Sequence, residues 1–322
     1  MIRNAKIINV ALMLLVGLMV GLTWSSCSSK RDGESKADQQ VITVSIEPLR
    51  YFTEAIAGPD WKVETLVPNG ASPETYDPTP RQLAQLAESK ACLRIGYVGY
   101  ELIWNSRLAE NAPHVPFMNM SEGIDLIYDS HHAHHHHHDD KPGNYEEEEH
   151  HTTSDAEGGV EPHVWNSPAN ARIIAGNILK AMITLDKPHA ESYRLRYDTL
   201  CQRIDRCDSL IREWLSKPEA SEAFMIYHPA LSYFARDYGL TQIAIETDGK
   251  EPSAARMKEL NELCKANHVK VIFIQPEFDS RNAEAIAKQT GAHIIHINPL
   301  SYHWEEELIA TAKALTLTST AP

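Results

Sequence analysis

The sequence predicts an α/β fold of two lobes with mainly parallel sheets, joined by one long rigid helix. Two runs of alternating strand and helix patterns, at 41–120 and 223–317, predict the two sheets, because such alternation is typical of parallel strands with helical crossovers. Between them, residues 188–216 carry apolar or semi-apolar side chains at repeated steps of four and three residues. A helix of this length spans about 40 Å, which is enough to join two lobes.

The first run predicts the N-terminal lobe, which we assign to residues 41–187. Its second strand ends in a long loop rich in proline and glycine, and Thr79, Pro80 and Gln82 then form a capping box that starts a helix. Ligands of parallel sheets bind beyond the carboxyl ends of the strands, so this loop is a candidate binding region. The strands are expected at 41–46, 62–67, 92–95 and 115–120, and the helices at 49–57, 79–89, 101–111 and 167–185.

The linking helix is assigned to residues 188–217, and the second run predicts a C-terminal lobe at 218–322. Residues 269–274 are almost continuously apolar, as expected for a strand buried on both faces. The strands are expected at 223–227, 242–245, 269–274 and 293–297, and the helices at 231–238, 253–267, 281–290 and 305–317.

The N-terminus has the pattern of a targeting segment. Arg3 and Lys6 precede an apolar run at 7–22, which is shorter than a typical membrane span and fits a signal peptide. Small residues directly before Cys27 resemble a bacterial lipoprotein cleavage site, although an ordinary secretory signal is the alternative. We expect a signal peptide at 1–26, acylation of Cys27 and a tether at 27–40, which place the protein in the periplasm or at the cell surface, anchored to a bacterial membrane.

Residues 129–159 form an internal segment rich in histidine and acid, and we expect it to be a disordered loop. Eight acids and one lysine give residues 139–157 a net charge of −7, half of the chain's −14. With no basic patch elsewhere, nucleic acid is excluded as a partner. The loop is interpreted as an accessory zinc collector; a neutral spacer and a nickel or copper binder are the alternatives. Its nine histidines are His131, His132, His134, His135, His136, His137, His138, His150 and His151.

Candidate metal ligands follow predicted strands or precede predicted helices in both lobes. Glu74 lies in the loop after the second strand, His163 precedes the Ser167–Pro168 helix start, and His228 follows a strand of the second lobe. A fourth region comprises Glu277 and Asn298. Imidazole and carboxylate together suit Zn²⁺, with Mn²⁺ less favoured.

Several motifs lie in the loops and element ends of both predicted lobes. They are Pro68-Asn69-Gly70-Ala71-Ser72-Pro73-Glu74, Glu161-Pro162-His163-Val164-Trp165, His228 with Tyr233-Phe234 and Tyr238-Gly239-Leu240, Glu251-Pro252-Ser253, and Asn298-Pro299-Leu300. As a set they resemble the metal-specific solute-binding proteins of bacterial ABC importers, in their zinc-type (ZnuA-like) branch. The resemblance covers roughly residues 41–317 and implies a metal ion in a cleft between two α/β lobes and delivery to a membrane permease with its ATPase. We also expect a monomer.

The chain departs from the family pattern at the ligand positions. Glu74 stands where the family usually has its first histidine, Asn298 stands where it usually has an aspartate, and residues 275–277 exchange the ends of a Glu-Pro-Gln run. The resemblance therefore predicts a site of Glu74, His163 and His228, completed by Asn298, Glu277 or water. A histidine at 228 accompanies zinc in the resemblance, whereas a glutamate there accompanies manganese.

The predicted function is capture of a divalent metal ion for import, without catalysis. A manganese-specific binding protein, a zinc buffer acting through the histidine loop, and a siderophore or corrinoid binder on the same architecture are the alternatives. A zinc hydrolase is less favoured because the sequence has no His-Glu-x-x-His motif. The long linking helix is a poor hinge, so little closure of the lobes is expected on binding.

Overall fold

The computed structural model describes residues 39–129, 159–247 and 249–318. The predicted signal peptide, the lipidation site Cys27 and the histidines of the loop all lie outside the described residues, so these assignments stay predictions. Among the described helices, none is both long enough and apolar enough to cross a membrane.

The N-terminal lobe is built on a four-stranded sheet with the order β2-β1-β3-β4, and every pair in it is parallel. The crossovers between the strands are helices, as the alternating sequence pattern predicts. The strands are β1 (Gln40–Val44), β2 (Trp61–Thr65), β3 (Cys92–Arg94) and β4 (Phe117–Asn119), and the helices are α1 (Glu47–Ala57), α2 (Pro80–Ala87) and α3 (Gly99–Asn111).

The predicted capping box of α2 is confirmed. The Gln82 amide N–H donates to the Thr79 side chain, and the Thr79 amide N–H donates to the Gln82 side chain at 2.9 Å. Gln82 also donates from its side chain to the carbonyl of Leu66, at the end of the preceding segment. The cap therefore fixes both ends of the loop that carries Glu74.

A short antiparallel pair that the sequence pattern does not predict joins the two sides of the histidine loop. It consists of β5 (Tyr128–Asp129) and β6 (Gly159–Val160), with Tyr128 opposite Val160 and Asp129 opposite Gly159. Residues 129 and 159, which flank the predicted loop, are therefore neighbours in space.

The long helix α5 (Ala190–Leu215) follows α4 (Pro168–Leu185) and a single 3₁₀ turn at Lys187–His189. Its 26 residues span about 39 Å. The helix packs against α1 and α4 of the N-terminal lobe and against the last helix of the C-terminal lobe, so it connects the two. Its buried side is the predicted stripe, which includes Tyr193, Leu200, Ile204, Cys207 and Ile211.

The C-terminal lobe has a second parallel four-stranded sheet, in the order β10-β9-β7-β8. All four residues of β9 are buried, as the apolar run predicts. The strands are β7 (Ala223–Ile226), β8 (Thr241–Ala244), β9 (Val271–Ile274) and β10 (His293–His296), and the helices are α6 (Ser232–Tyr238), α7 (Ala254–Ala266), α8 (Arg281–Thr290) and α9 (Trp304–Ala314).

Hydrogen bonds from buried tryptophans tie the loop before α4 to the C-terminal lobe. The indole N–H of Trp165 donates to the carbonyl of Pro299 at 2.8 Å, and that of Trp304 donates to the carbonyl of Trp165 at 2.8 Å. Arg236 of α6 donates to the carbonyl of Asp125 at 2.7 Å. These bonds cross between the lobes beside the cleft and restrict their relative movement.

The four cysteines in the described part of the chain are buried and free. Burial is the main cause that raises the pKa of the Cys207 thiol to about 12, so it stays protonated near neutral pH. These thiols act as small core side chains. They are Cys92, Cys201, Cys207 and Cys264.

Candidate metal centre

Glu74, His163 and His228 converge in the cleft between the two sheets. One ligand atom from each lies within 4.8 Å of the others. Glu74 comes from the loop between β2 and α2, His163 from the loop between β6 and α4, and His228 from the segment directly after β7. The strand ends of two sheets thus contribute to one site, as expected for ligand binding in parallel sheets.

His163 is buried, with 5% of its surface exposed, and is held by the carboxylate of Glu161. The Glu161 Oε1 accepts hydrogen bonds from the His163 backbone N–H at 3.0 Å and from its ring Nδ1 at 2.5 Å. Because Nδ1 donates, the neutral ring carries its lone pair on Nε2, which points toward the cleft. A carboxylate behind a histidine is the usual way in which proteins orient a metal-ligating imidazole.

Glu161 is in turn fixed by helix α6 of the other lobe. The Ser232 hydroxyl donates to Glu161 Oε2 at 3.1 Å, and the Tyr233 hydroxyl donates to the Glu161 carbonyl at 2.9 Å. Burial opposes ionisation of Glu161, but the charge of His163 and the hydrogen bonds outweigh it and lower the pKa of this carboxyl. Burial likewise opposes a charged His163, yet Glu161, Glu74 and Glu277 together raise the pKa of the ring.

His228 is oriented in the same way by Glu246, which is 4% exposed and follows β8. Its ring Nδ1 lies 2.6 Å from the Glu246 Oε1. The side chain of Gln275 accepts from the His228 backbone N–H at 3.3 Å and donates to its carbonyl at 2.6 Å. Phe278 stacks on the imidazole with ring centroids 5.4 Å apart, so backbone, ring plane and tautomer are all fixed.

The two imidazoles face one another through their Nε2 atoms, which are 3.3 Å apart. A tetrahedral zinc site with bonds of about 2.0–2.1 Å separates two nitrogen ligands by about 3.3–3.4 Å. Since both Nδ1 atoms are directed at carboxylates, two neutral rings would meet lone pair to lone pair. A cation between them, either a metal ion or a shared proton, removes this repulsion.

Glu74 reaches the site because residue 99 is glycine. A Cβ on Gly99 would lie 2.5 Å from the Glu74 carbonyl oxygen and 2.7 Å from its Oε2. The backbone N–H of Tyr100 donates to the Pro73 carbonyl at 3.0 Å, which holds the start of α3 against this loop. The Glu74 Oε1 is buried and has no hydrogen-bond partner among the described residues.

The cavity enclosed by these side chains has a volume of about 20 Å³, which is room for a single water or metal ion. It is too small for a siderophore or a corrinoid ring. Its walls come from both lobes, and the described lining residues include neither lysine nor arginine. They are Ser72, Pro73, Glu74, His163, His228, Ala230, Gln275, Glu277, Phe278, Pro299 and Leu300.

The structure does not bring the side chain of Asn298 to this group. The Asn298 Oδ1 accepts from the Leu300 backbone N–H at 3.1 Å, and its Nδ2 donates to the Asn69 side chain at 3.4 Å. The residue is therefore engaged in the turn that its own Asn-Pro-Leu sequence favours. Its predicted role as a ligand is not supported by this placement.

Two carboxylates that complete the site were not assigned a role from the sequence. Glu161 stands two residues before His163, a local spacing that could have suggested the contact. Glu246 is 18 residues from His228 in the sequence. The one sequence feature that could have suggested its role is its position directly after the strand predicted at 242–245, which follows the strand that ends at His228. Histidines such as His114 and His293 lie elsewhere, and each contacts a backbone carbonyl.

The comparisons with known proteins agree with this architecture. Residues 42–313 match the family model described as ZnuA, zinc-uptake complex component A, periplasmic. The chain belongs to this family. Its members are solute-binding transport proteins, so the chain is not an enzyme. Members of this family act outside the cytoplasm.

Relatives of known function include zinc and iron proteins. The high-affinity zinc uptake system protein ZnuA of Bacillus subtilis (strain 168) is 31% identical over 87% of this chain and 84% of its own length. The zinc-binding lipoprotein AdcA of Streptococcus pneumoniae serotype 4 is 26% identical over 91% of this chain but only 56% of its own length. The iron-binding protein YfeA of Yersinia pestis is 23% identical over 92% of this chain and 90% of its own length.

Solved structures of ZnuA share the fold. One crystal structure of ZnuA has a TM-score of 0.75 at 31% identity, covering 87% of this chain and 98% of the other. A ZnuA deletion mutant with zinc bound has a TM-score of 0.74 at 31% identity and covers 88% of this chain and all of the other. The two-lobed α/β architecture predicted from the sequence is thus confirmed.

Proposed function

We propose that this protein captures a divalent metal ion, foremost zinc, in the cleft between its lobes and delivers it to an ABC-type importer. The observation that carries the proposal is the approach of His163 and His228, whose Nε2 atoms are separated by the nitrogen–nitrogen distance of tetrahedral zinc. Glu74 supplies an anionic ligand from the N-terminal lobe. Two buried carboxylates behind the rings increase their basicity and thus strengthen their bonds to a metal.

The donor set favours zinc over manganese. Two imidazoles and a carboxylate suit zinc, whereas manganese prefers a majority of oxygen ligands and a higher coordination number. Relatives named for zinc uptake or zinc binding are consistent with this preference. Glu74 weakens the preference for zinc, since this residue supplies an oxygen ligand where the family usually has a histidine nitrogen.

We further propose that residues 1–26 are a signal peptide and that acylated Cys27 anchors the mature protein to a bacterial membrane. Its partners are then the permease of the importer and the ATPase that drives it, and the protein acts as a monomer. The proposed division is an N-terminal lobe at 41–187, a linking helix at 188–217 and a C-terminal lobe at 218–322. Membership of an extracytoplasmic transport family supports this arrangement.

The test is calorimetry of zinc and manganese binding to metal-stripped protein without residues 130–158. Because Asp129 and Gly159 are paired in β5–β6, a short glycine linker closes the gap without disturbing the cleft. One tight zinc site and weak manganese binding are expected. His163→Ala and His228→Ala should abolish the tight site, whereas His114→Ala, an exposed histidine away from the cleft, should not.

Two results would contradict the proposal. Absence of a tight site in the shortened protein would move the function to the histidine loop. Equally tight zinc binding by Glu74→Ala would remove Glu74 from the ligand set.

A zinc buffer acting through the histidine loop is the second candidate. It is favoured by the position of the loop, which rejoins the fold at β6 only three residues before His163. The two functions differ in stoichiometry, since the buffer predicts several weak ions per chain and the importer protein one tight ion. Titration of the full chain beside the shortened one separates them.

A further inference from the structure

Glu277 lies on the wall of the metal cavity. It is neither one of the three converging ligands nor one of the two carboxylates that orient the histidines. It lies in the turn after β9, in which the Phe278 N–H donates to the Gln275 carbonyl at 3.3 Å. Its Oε2 is buried and has no hydrogen-bond partner among the described residues. A buried carboxylate oxygen without a donor is costly, so such an atom calls for an explanation.

The cavity contains more acceptors than its donors can satisfy. Glu74 Oε1 and Glu277 Oε2 are both buried and unpaired, and the Nε2 atoms of His163 and His228 face each other. The Gln275 side chain, the one amide on the described wall, already donates to the backbone of His228. A divalent cation would satisfy the atoms of Glu74, His163 and His228, and also that of Glu277 if its side chain turned toward the ion. Its charge would equal that of two carboxylates.

We propose that Glu277 is the fourth ligand of the metal, so that the site consists of two imidazoles and two carboxylates. This inference rests on the proposed function and specifies its ligand set. Asn298 is engaged in its own turn and is neutral, so Glu277 supplies the negative charge that position 298 lacks. The Glu277 carboxylate is outside the group whose ligand atoms lie within 4.8 Å, so ligation requires rotation of its side chain toward the ion.

The proposal defines the ligand class as a divalent ion that accepts a closed tetrahedral shell. Zinc fits this shell because it has no geometric preference beyond four short bonds, and the small cavity excludes additional water ligands. Calcium and magnesium, which need six or more oxygens, do not fit it.

The test uses the full chain with the nine histidines at 131–151 replaced by asparagine, so that only the cleft competes for zinc. Zinc affinity is measured against a chromophoric chelator for this parent, for Glu277→Gln and for Asn298→Ala. Removal of a residue that hydrogen-bonds to a metal ligand lowers metal affinity by roughly 10–100-fold. Glu277→Gln removes a ligand itself, so its zinc affinity should fall by at least that factor. Asn298→Ala tests the competing assignment of the fourth position, and it should bind zinc more tightly than Glu277→Gln if Glu277 is the ligand.

Two further measurements separate ligation from a structural effect. Co²⁺ in place of zinc should show a visible spectrum that differs between the parent and Glu277→Gln but not between the parent and Asn298→Ala. Without metal, Glu277→Gln should melt at or above the temperature of the parent, because it no longer buries an unpaired charge. With zinc, its melting temperature should rise less than that of the parent.

The outcomes distinguish this inference from the proposed function. If the parent binds no zinc tightly, the proposed function itself fails. If the parent binds zinc tightly and Glu277→Gln binds it equally well with the same Co²⁺ spectrum, only the assignment of Glu277 is overturned. A loss of affinity in Asn298→Ala alone would transfer the fourth position to Asn298.

Discussion

His163 and His228 bring their Nε2 atoms to 3.3 Å of each other although 65 residues separate them in the chain. Each ring is held from behind by a carboxylate, Glu161 for His163 and Glu246 for His228. The pair is therefore rigid before an ion arrives. A rigid pair loses little conformational entropy on binding, which favours high affinity.

Glu246→Gln should weaken zinc binding while leaving the fold intact. An amide in place of the carboxylate still reaches the His228 Nδ1 but makes the ring a poorer electron donor, so affinity should fall by roughly 10–100-fold. Chelator competition measures the affinity, and circular dichroism checks the fold. Glu251→Gln, an exposed acid in the same region, is the control and should bind zinc as the parent does. Unchanged affinity in Glu246→Gln would show that this carboxylate does not act through His228.

Gly99→Ala should also weaken metal binding, because its new Cβ would displace Glu74. The methyl group would lie 2.7 Å from the Glu74 Oε2 and 2.5 Å from the Glu74 carbonyl oxygen, so the loop has to move. Gly176→Ala is the matched control, since its Cβ meets nothing closer than the Tyr197 hydroxyl at 3.8 Å. In the interior of α4 this control should gain about 0.5–1 kcal/mol of stability with unchanged zinc affinity. Equal zinc affinities for both variants would mean that the position of Glu74 does not limit binding.

Zinc affinity should fall as the pH is lowered through the neutral range. Burial opposes the charged form of His163, but the surrounding carboxylates outweigh it and raise the pKa of the ring. A raised pKa means that the metal-free protein already holds a proton at a pH where a free histidine, with a pKa of about 6.5, has lost it. Zinc must displace this proton, so binding should release protons at neutral pH and fewer in alkaline solution.

Calorimetry in buffers of different ionisation enthalpy counts the released protons. In His163→Ala the count should fall together with the affinity. A zinc affinity that did not change between neutral and mildly acidic pH would contradict the prediction.

Zinc binding should cause little closure of the lobes. The tryptophan hydrogen bonds that join Trp165 to Pro299 and Trp304 to Trp165 cross between the lobes, and helix α5 spans both without a break. Small-angle scattering with and without zinc should give superimposable profiles. A clear compaction on adding zinc would show that the lobes rotate despite these bonds.

Trp304→Ala should destabilise the protein strongly. The indole is 2% exposed, packs edge-to-face on Phe52 with centroids 5.0 Å apart, and donates to the Trp165 carbonyl. Truncation of a buried tryptophan costs about 3–5 kcal/mol of unfolding free energy, which chemical denaturation measures. The control is Trp214→Ala, whose indole is only half-buried under Lys217, and it should cost clearly less. Similar losses for both would argue against a packed core at Trp304.

The order and approximate limits of the longer helices and most strands could be predicted from the sequence, because each has a local signal. The capping box at Thr79, the Ser167–Pro168 start and the apolar strand β9 are such signals. The β5–β6 pair was not predicted, since two-residue strands have no periodicity. Helix α9 ends at Ala314 rather than at the predicted residue 317. The prediction was too long because apolar residues continue in the sequence beyond the end of the helix.

Fewer features of the site than of the fold could be predicted from the sequence. His163 could be proposed as a ligand from its position before a predicted helix start, and His228 from its position after a predicted strand. The contact between Glu246 and His228 depends on the order of strands in the second sheet, which no local pattern reveals. Asn298 was proposed as a ligand from its position after a predicted strand, whereas the hydrogen bond of its side chain within its own turn has no signal that sequence reasoning used.

The β5–β6 pair has a consequence for how the chain can change. Residues 129 and 159 are neighbours in space, so whatever lies between them begins and ends at one point of the surface. Segments inserted at such a point can be lengthened, shortened or exchanged at little entropic cost to the rest of the fold. The length and histidine content of the segment between them can therefore change while the cleft keeps its geometry.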